Sequence, residues 1–241
     1  MNFFLSASEK SELSAAFQKE LIKNPPTIGL VGVSGTGKSS TINTLFKTKL
    51  PISHTTACTK AFEASKIALR QTQGEAIGQE TVLTVYDAPG LGEDIEKDPE
   101  YIEMYQQQLP RCDVILWVMT ARNRAIALDQ MYLLNFRKLF DRIVFGINQV
   151  DLISPLNWPN GLPIPSVEQE SNLNEIVADR TRRLSKILEQ PATVIPYSNM
   201  RGFNLEGLFA GILNKCQSDR AWMFGGLKNF SYKDFMPKNA M

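Results

Sequence analysis

Up to Ile22, apolar side chains recur at helical spacing on an otherwise charged segment: Leu13, Ala16, Phe17, Leu21 and Ile22 share one face, and Asn24-Pro25-Pro26 stops the pattern. An amphipathic helix within residues 1–24 is predicted. From Thr27 to Val33 the period disappears into a continuous β-rich run, the pattern of a strand buried on both faces. Further strands are predicted at 61–69, 81–86, 112–119, 143–147 and 193–196. Helices are predicted after the glycine-rich turn at 34–37 and over 101–109, 128–139, 167–188 and 205–215. Residues 47–60 carry Pro51 and no period, and Ile153–Pro165 holds Pro155, Pro159, Pro163 and Pro165, so both read as loops. The segment 220–241 is rich in aromatic residues (Trp222, Phe224, Phe230, Tyr232, Phe235) without a clear period. Alternating strands and helices with continuous apolar strands predict an α/β fold of three layers, a mostly parallel sheet with helices on both faces. In such sheets the carboxyl ends of the strands carry the ligand-binding loops. The expected division is a helix at 1–24, a main domain at 25–219 and a tail at 220–241.

Composition changes this picture little. Hydrophobic residues make 43% and charged residues 21% of the 241 residues, as in ordinary globular domains. With 26 basic and 25 acidic side chains the net charge is +1, so charge does not imply a nucleic-acid partner. Cys58, Cys112 and Cys216 are too scattered for a disulfide framework or paired zinc ligands, which points to a reducing, cytoplasmic setting. The longest apolar run, Val114–Met119, falls far short of the roughly 20 residues that span a bilayer. Membrane association would require an extension outside this sequence. His54 is the only histidine and has no partner at metal-ligand or triad spacing.

The chemistry is concentrated in Gly32-Val33-Ser34-Gly35-Thr36-Gly37-Lys38-Ser39, a full match to the phosphate-loop pattern between a predicted strand and a predicted helix. Glycines let successive backbone amides turn inward around a phosphate, and the following helix adds its positive end. The expected nucleotide contacts run through Ser34, Gly35, Thr36, Gly37, Lys38, Ser39 and Ser40, with Lys38 on the β- and γ-phosphates and the Ser39 hydroxyl on Mg²⁺. Asp87-Ala88-Pro89-Gly90 follows the strand at 81–86; Asp87 is expected near Mg²⁺ and the Gly90 amide near the γ-phosphate.

Base recognition selects among nucleotides. Asn148-Gln149-Val150-Asp151 follows a core strand, and here the chain, over roughly residues 27–215, resembles the Ras-like GTPases with their Asn-Lys-x-Asp motif. A carboxylate can accept from both the ring N–H and the exocyclic amine of guanine, whereas adenine offers it an acceptor. The resemblance implies that Asp151 selects guanine, that Asn148 braces the loop and that GTP or GDP is the ligand; Gln149 departs from the usual Lys. It also implies a six-stranded sheet whose second strand is an antiparallel edge. Pro196-Tyr197-Ser198-Asn199 resembles the Ser-Ala-x loop, placing Ser198 and Asn199 near the base, with Asn199 replacing the common Ala. Cys58-Thr59-Lys60 before the second strand resembles the first switch of Era-like bacterial members. Thr59 is then the expected Mg²⁺ and γ-phosphate ligand, with Thr55 and Thr56 as alternatives.

What the family implies is a GTP-hydrolysing switch in which residues 47–60 and 90–100 respond to the γ-phosphate, Lys38, Thr59 and Gly90 acting at the reaction. Two departures bear on rate. Leu91 stands where Ras places its water-orienting glutamine, and Gly35 stands where some Era-type enzymes place an asparagine that recruits K⁺. Slow turnover is expected unless a homodimer or an activating protein intervenes; the alternative is a nucleotide-dependent interaction module with negligible hydrolysis. Glu93 and Asp94 are read as a solvated acidic face that could otherwise position water.

Overall fold

The computed structural model describes residues 7–52, 61–69, 83–94, 96–123, 126–216, 219–227 and 231–237. Helix α1 (Ala7–Lys23) is followed by β1 (Thr27–Val31), α2 (Lys38–Phe46), β2 (Glu63–Leu69), β3 (Leu83–Asp87), α3 (Asp98–Gln108), β4 (Val114–Thr120) and α4 (Ala127–Leu133). The chain continues through β5 (Ile143–Asn148), α5 (Val167–Leu188), β6 (Val194–Pro196), α6 (Leu205–Lys215), α7 (Ala221–Leu227) and β7 (Phe235–Pro237). The sheet order is β6-β5-β4-β1-β3-β2-β7. Strands β1, β3, β4, β5 and β6 are mutually parallel where they pair, and β2 runs antiparallel to β3.

Strand β4 shows why the central strands read as unbroken apolar runs. Val114, Leu116 and Val118 enter one core with Ile42, Leu45 and Phe46 of α2 and with Leu208, Phe209 and Ile212 of α6. Ile115, Trp117 and Met119 enter the opposite core with Tyr105 of α3, Tyr132 of α4 and Leu173 and Leu184 of α5. Alternate residues thus serve opposite faces, and both faces exclude water. The three-layer α/β expectation holds.

The differences from the sequence reading have local causes. The stretch 128–139 is not one helix: α4 stops at Leu133, and residues Leu134–Arg142 form tighter 3₁₀ turns interrupted at Phe136 (φ −121°, ψ 27°). That break drives Phe136 into the core, its ring 5.8 Å from Tyr105 and 6.1 Å from Trp117. All six expected strands are present, but β2 is not the edge. Three residues near the end of the chain form β7 and pair antiparallel with Ile67–Leu69. Three residues are too few to show a period of two, and Pro237 suits an outer strand because it has no N–H to donate.

The aromatic-rich segment forms α7 as well, and Met223, Phe224 and Leu227 are buried in the same cluster as Phe46 and Phe209. Arg220 anchors its start, with Nε 3.1 Å from Asp113 and the guanidinium donating to the carbonyls of Asn24 and Pro25. Phe224 is fully buried, and truncating such a side chain costs about 3–5 kcal/mol. Phe224→Ala is therefore expected to lower the urea midpoint of the whole domain in a single transition. An unchanged midpoint would mean that α7 lies loosely on the surface.

Candidate nucleotide-binding site

The carboxyl ends of β1, β3, β5 and β6 converge on one loop. The phosphate-loop segment leaves β1, turns at Gly37 (φ 89°) and enters α2. A side chain at Gly37 would bring Cβ within 2.5 Å of the Asn148 amide nitrogen, so this close approach requires glycine. Lys38 is 7% exposed, and its ammonium donates to the Gly32 and Val33 carbonyls, each at 3.2 Å. Burial pulls Lys38 down to about 8, opposed by the negative charges of Asp87, Glu93 and Asp129.

Asp87 ends β3 and is 1% exposed; the Ser39 hydroxyl donates to it at 2.5 Å. The two side chains expected to face Mg²⁺ are thus brought together from β3 and α2. Gly90 lies against the loop, where a Cβ would come within 2.8 Å of Ser34 Cα. Leu91 is fully buried; its amide donates to Gly32 O at 3.3 Å and its carbonyl accepts from Ser34 N at 2.8 Å. Its side chain is committed to the core, not to solvent. Asp94 faces the turn into α3, accepting from Glu96 N and pairing with Lys97 at 3.5 Å. Glu93 is exposed, as expected from sequence, and it also accepts from the Ser34 hydroxyl at 2.9 Å.

At the end of β5, Asn148 donates to Thr36 O at 3.0 Å and accepts from Asn199 N at 3.3 Å, joining the phosphate loop to the loop after β6. Asp151 is 8% exposed and accepts from the Ser198 hydroxyl at 2.6 Å. That hydroxyl accepts in turn from Arg201 N at 3.0 Å, which fixes its direction. Asp151 keeps acceptor capacity for a further donor, since an ionised carboxylate offers about four lone-pair sites.

Gln149 supplies a brace that its replacement of lysine leaves unannounced. Held at φ 62°, it donates to Gly35 O at 3.2 Å and accepts from the Thr120 hydroxyl at 2.7 Å, so one amide ties the phosphate loop to the end of β4. A second brace was missed from sequence. The Thr41 hydroxyl lies 2.8 Å from Gly37 O, 2.8 Å from the Tyr197 hydroxyl and 3.0 Å from the Asn199 amide that donates to it. The four-residue step from Gly37 to Thr41 is the one visible signal, because a helical threonine hydroxyl reaches the carbonyl one turn back. Tyr197 carries none before the fold is known; it is fully buried, and burial pushes its phenol well above the usual range. Ser34 to Ser40, Asp87, Gly90, Asn148, Asp151, Ser198 and Asn199 are therefore brought to one end of the sheet. Thr59, with His54 and Cys58, lies outside the described residues.

Known proteins resemble this chain. YfjP of Escherichia coli strain K12, itself described as uncharacterized, is 35% identical over 161 residues, covering 64% of this chain and 51% of YfjP. GTPase Der of Pseudomonas putida strain W619 is 25% identical over 177 residues, 69% of this chain and 34% of Der. The chain spans about half the length of the first of these relatives and a third of the second. Among solved structures, Aquifex aeolicus Era bound to GDP and AlF4⁻ superposes with a TM-score of 0.57 at 22% identity, over 80% of this chain and 57% of Era. Toc33 from Arabidopsis thaliana gives 0.55 at 18%, over 77% and 79% of the two chains. At these identities the structural likeness bears on the fold alone. Residues 27–149, half of the sequence, match the family described as 50S ribosome-binding GTPase. With the phosphate loop, the Asp87 strand end and the Asn148–Asp151 turn gathered on a Ras-like sheet, the chain belongs to that family of P-loop GTPases, in its Era-like branch.

Proposed function

We propose that the chain binds GTP and GDP with Mg²⁺ and hydrolyses GTP slowly, serving as a molecular switch. The observation that carries this reading is the 2.5 Å approach of the Ser39 hydroxyl to the Asp87 carboxylate beside the buried Lys38. A hydroxyl and a carboxylate are hard oxygen donors of the kind Mg²⁺ takes, and among the described residues no cluster of three or more His, Cys, Asp and Glu would hold a metal without nucleotide. Bound with nucleotide, Mg²⁺ would be held by Ser39 and Asp87 and would supply neutralisation of the phosphate charge.

The chain's own residues do the rest. Amides of the loop from Ser34 to Ser40 cradle the phosphates, and Lys38 turns its ammonium from the Gly32 and Val33 carbonyls toward them. Asp151, oriented by Ser198, accepts from both guanine donors, and Asn148 and Gln149 keep the base loop in register with the phosphate loop. The Gly90 amide meets the γ-phosphate, and Thr59 is the switch threonine. An activating partner, either a protein or a second copy of the chain, supplies the group that orients water; a trans-acting arginine is worth about 10³–10⁵-fold.

A second reading, a switch with negligible turnover, has one observation in its favour. Leu91 is buried and its backbone is bonded to Gly32 and Ser34, so the residue after Gly90 has no side chain to offer water. Single-turnover measurement of phosphate release from prebound GTP separates the two. Release above the spontaneous rate that disappears on chelating Mg²⁺ supports the enzyme, and tight binding with no release supports the passive switch.

A further inference from the structure

The segment that follows Gly90 is pinned to the phosphate loop more closely than its exposed position suggests. Leu91 N donates to Gly32 O and Ser34 N to Leu91 O. Gly92 N donates to the Asp98 carboxylate at 2.9 Å, and Asp98 is buried and also accepts from the Tyr132 hydroxyl. Fixed on that side by Leu91 and Gly92, Glu93 carries its carboxylate to 2.9 Å from the Ser34 hydroxyl on the outer lip of the loop. Among the described residues no lysine or arginine forms an ion pair with Glu93. The cation whose field it shares is Lys38, deeper in the same cradle. The carboxylate therefore lies at the lip of the loop read above as the phosphate cradle.

We propose that Glu93 is a specificity-determining residue that disfavours the triphosphate relative to the diphosphate, through repulsion between its carboxylate and the third phosphate. The proposal rests on the nucleotide reading above. A diphosphate occupying the loop leaves the Ser34–Glu93 bond closed. A triphosphate adds negative charge beside the Glu93 carboxylate, which forces Glu93 outward and strains the attachment of Leu91 and Gly92. Hydrolysis removes that charge and allows the bond to reform. Near a protein surface, unit charges several ångströms apart interact strongly enough to shift a binding ratio by about tenfold.

Glu93→Gln isolates the charge, because the amide oxygen still accepts from Ser34. Affinities for GDP and for a non-hydrolysable GTP analogue are measured at fixed free Mg²⁺ on wild type and variant. The expected result is a rise of about tenfold in the analogue-to-GDP affinity ratio, with GDP affinity held within about twofold. In the wild type the ratio is also expected to rise with salt, as the repulsion is screened, while the variant's ratio moves less. An unchanged ratio overturns the proposal. So does a parallel shift for both nucleotides, which would mark a structural role, or an unchanged ratio with slower single-turnover release, which would mark Glu93 as a group acting on water. If wild-type protein binds neither nucleotide, the reading of the site fails first; if GDP binds normally and only the ratio is unmoved, the Glu93 inference alone fails.

Discussion

Lys38→Ala is expected to lower affinity for GDP and GTP by about 10²–10³-fold, since truncating one member of a desolvated charge pair typically costs 2–5 kcal/mol. Among the described residues the ammonium is the one cation in the cradle at hydrogen-bonding distance of its backbone, donating to Gly32 and Val33 from a 7% exposed position. Lys38 belongs to neither hydrophobic core, so the fold is expected to persist and the loss to be one of binding; an unchanged circular dichroism spectrum checks this. The same lysine gives the binding a pH dependence whose sign follows from its environment. Burial lowers it to about 8 in the free protein, and phosphate oxygens favour the charged form, so nucleotide raises it again. Binding then takes up a proton above about pH 8, and affinity falls by up to about tenfold per pH unit from there. Calorimetry in buffers of different ionisation enthalpy reads the proton uptake directly. Lys38→Ala should show none, and a wild-type affinity flat from about pH 7 to 9 would mean that Lys38 does not meet the phosphate charge.

The features legible in the sequence are those set by short-range rules. Phosphate-loop spacing and the continuous apolar strands each depend on neighbours along the chain, and each stands where expected. What was not legible depends on pairs distant in sequence. Strand β7 exists because Phe235–Pro237 finds the open edge of β2, more than 160 residues earlier. The break at Phe136 brings its ring against Tyr105 and Trp117, partners 31 and 19 residues away along the chain. In the site, Asn148 and Asp151 could be named from their motif. That Gln149 spans Gly35 and Thr120 in place of lysine could not, because an amide at that position declares no partner until the loops meet. Leu91 is the informative departure: sequence shows the missing amide side chain, and the structure shows that the position has become part of the core. The Ser34–Glu93 bond joins two loops that sequence treats as independent.

Asp151→Asn is expected to convert the base preference and to leave the protein folded. In the wild type Ser198 consumes one lobe of the carboxylate at 2.6 Å, and the rest of the group has the charge and acceptor sites to take both donors on the guanine edge. Hydrogen bonds to a charged group contribute about 1.5–3 kcal/mol each, so replacing the carboxylate by a neutral amide weakens GDP and GTP by on the order of 10²–10⁴-fold. The amide oxygen still accepts from Ser198, and the phosphate loop is untouched, so melting temperature should change little. Xanthine nucleotides distinguish loss of recognition from loss of structure. Xanthine carries a carbonyl where guanine carries the exocyclic amine, and the asparagine N–H can donate to it while the carboxylate would repel it. The variant should therefore bind xanthosine diphosphate better than GDP, reversing the wild-type order, with adenine nucleotides weak on both proteins. Equal weakening for guanine and xanthine would show that Asp151 holds the loop and does not read the base. Wild-type affinity for GDP in the variant would move base selection to the loop of Ser198 and Asn199.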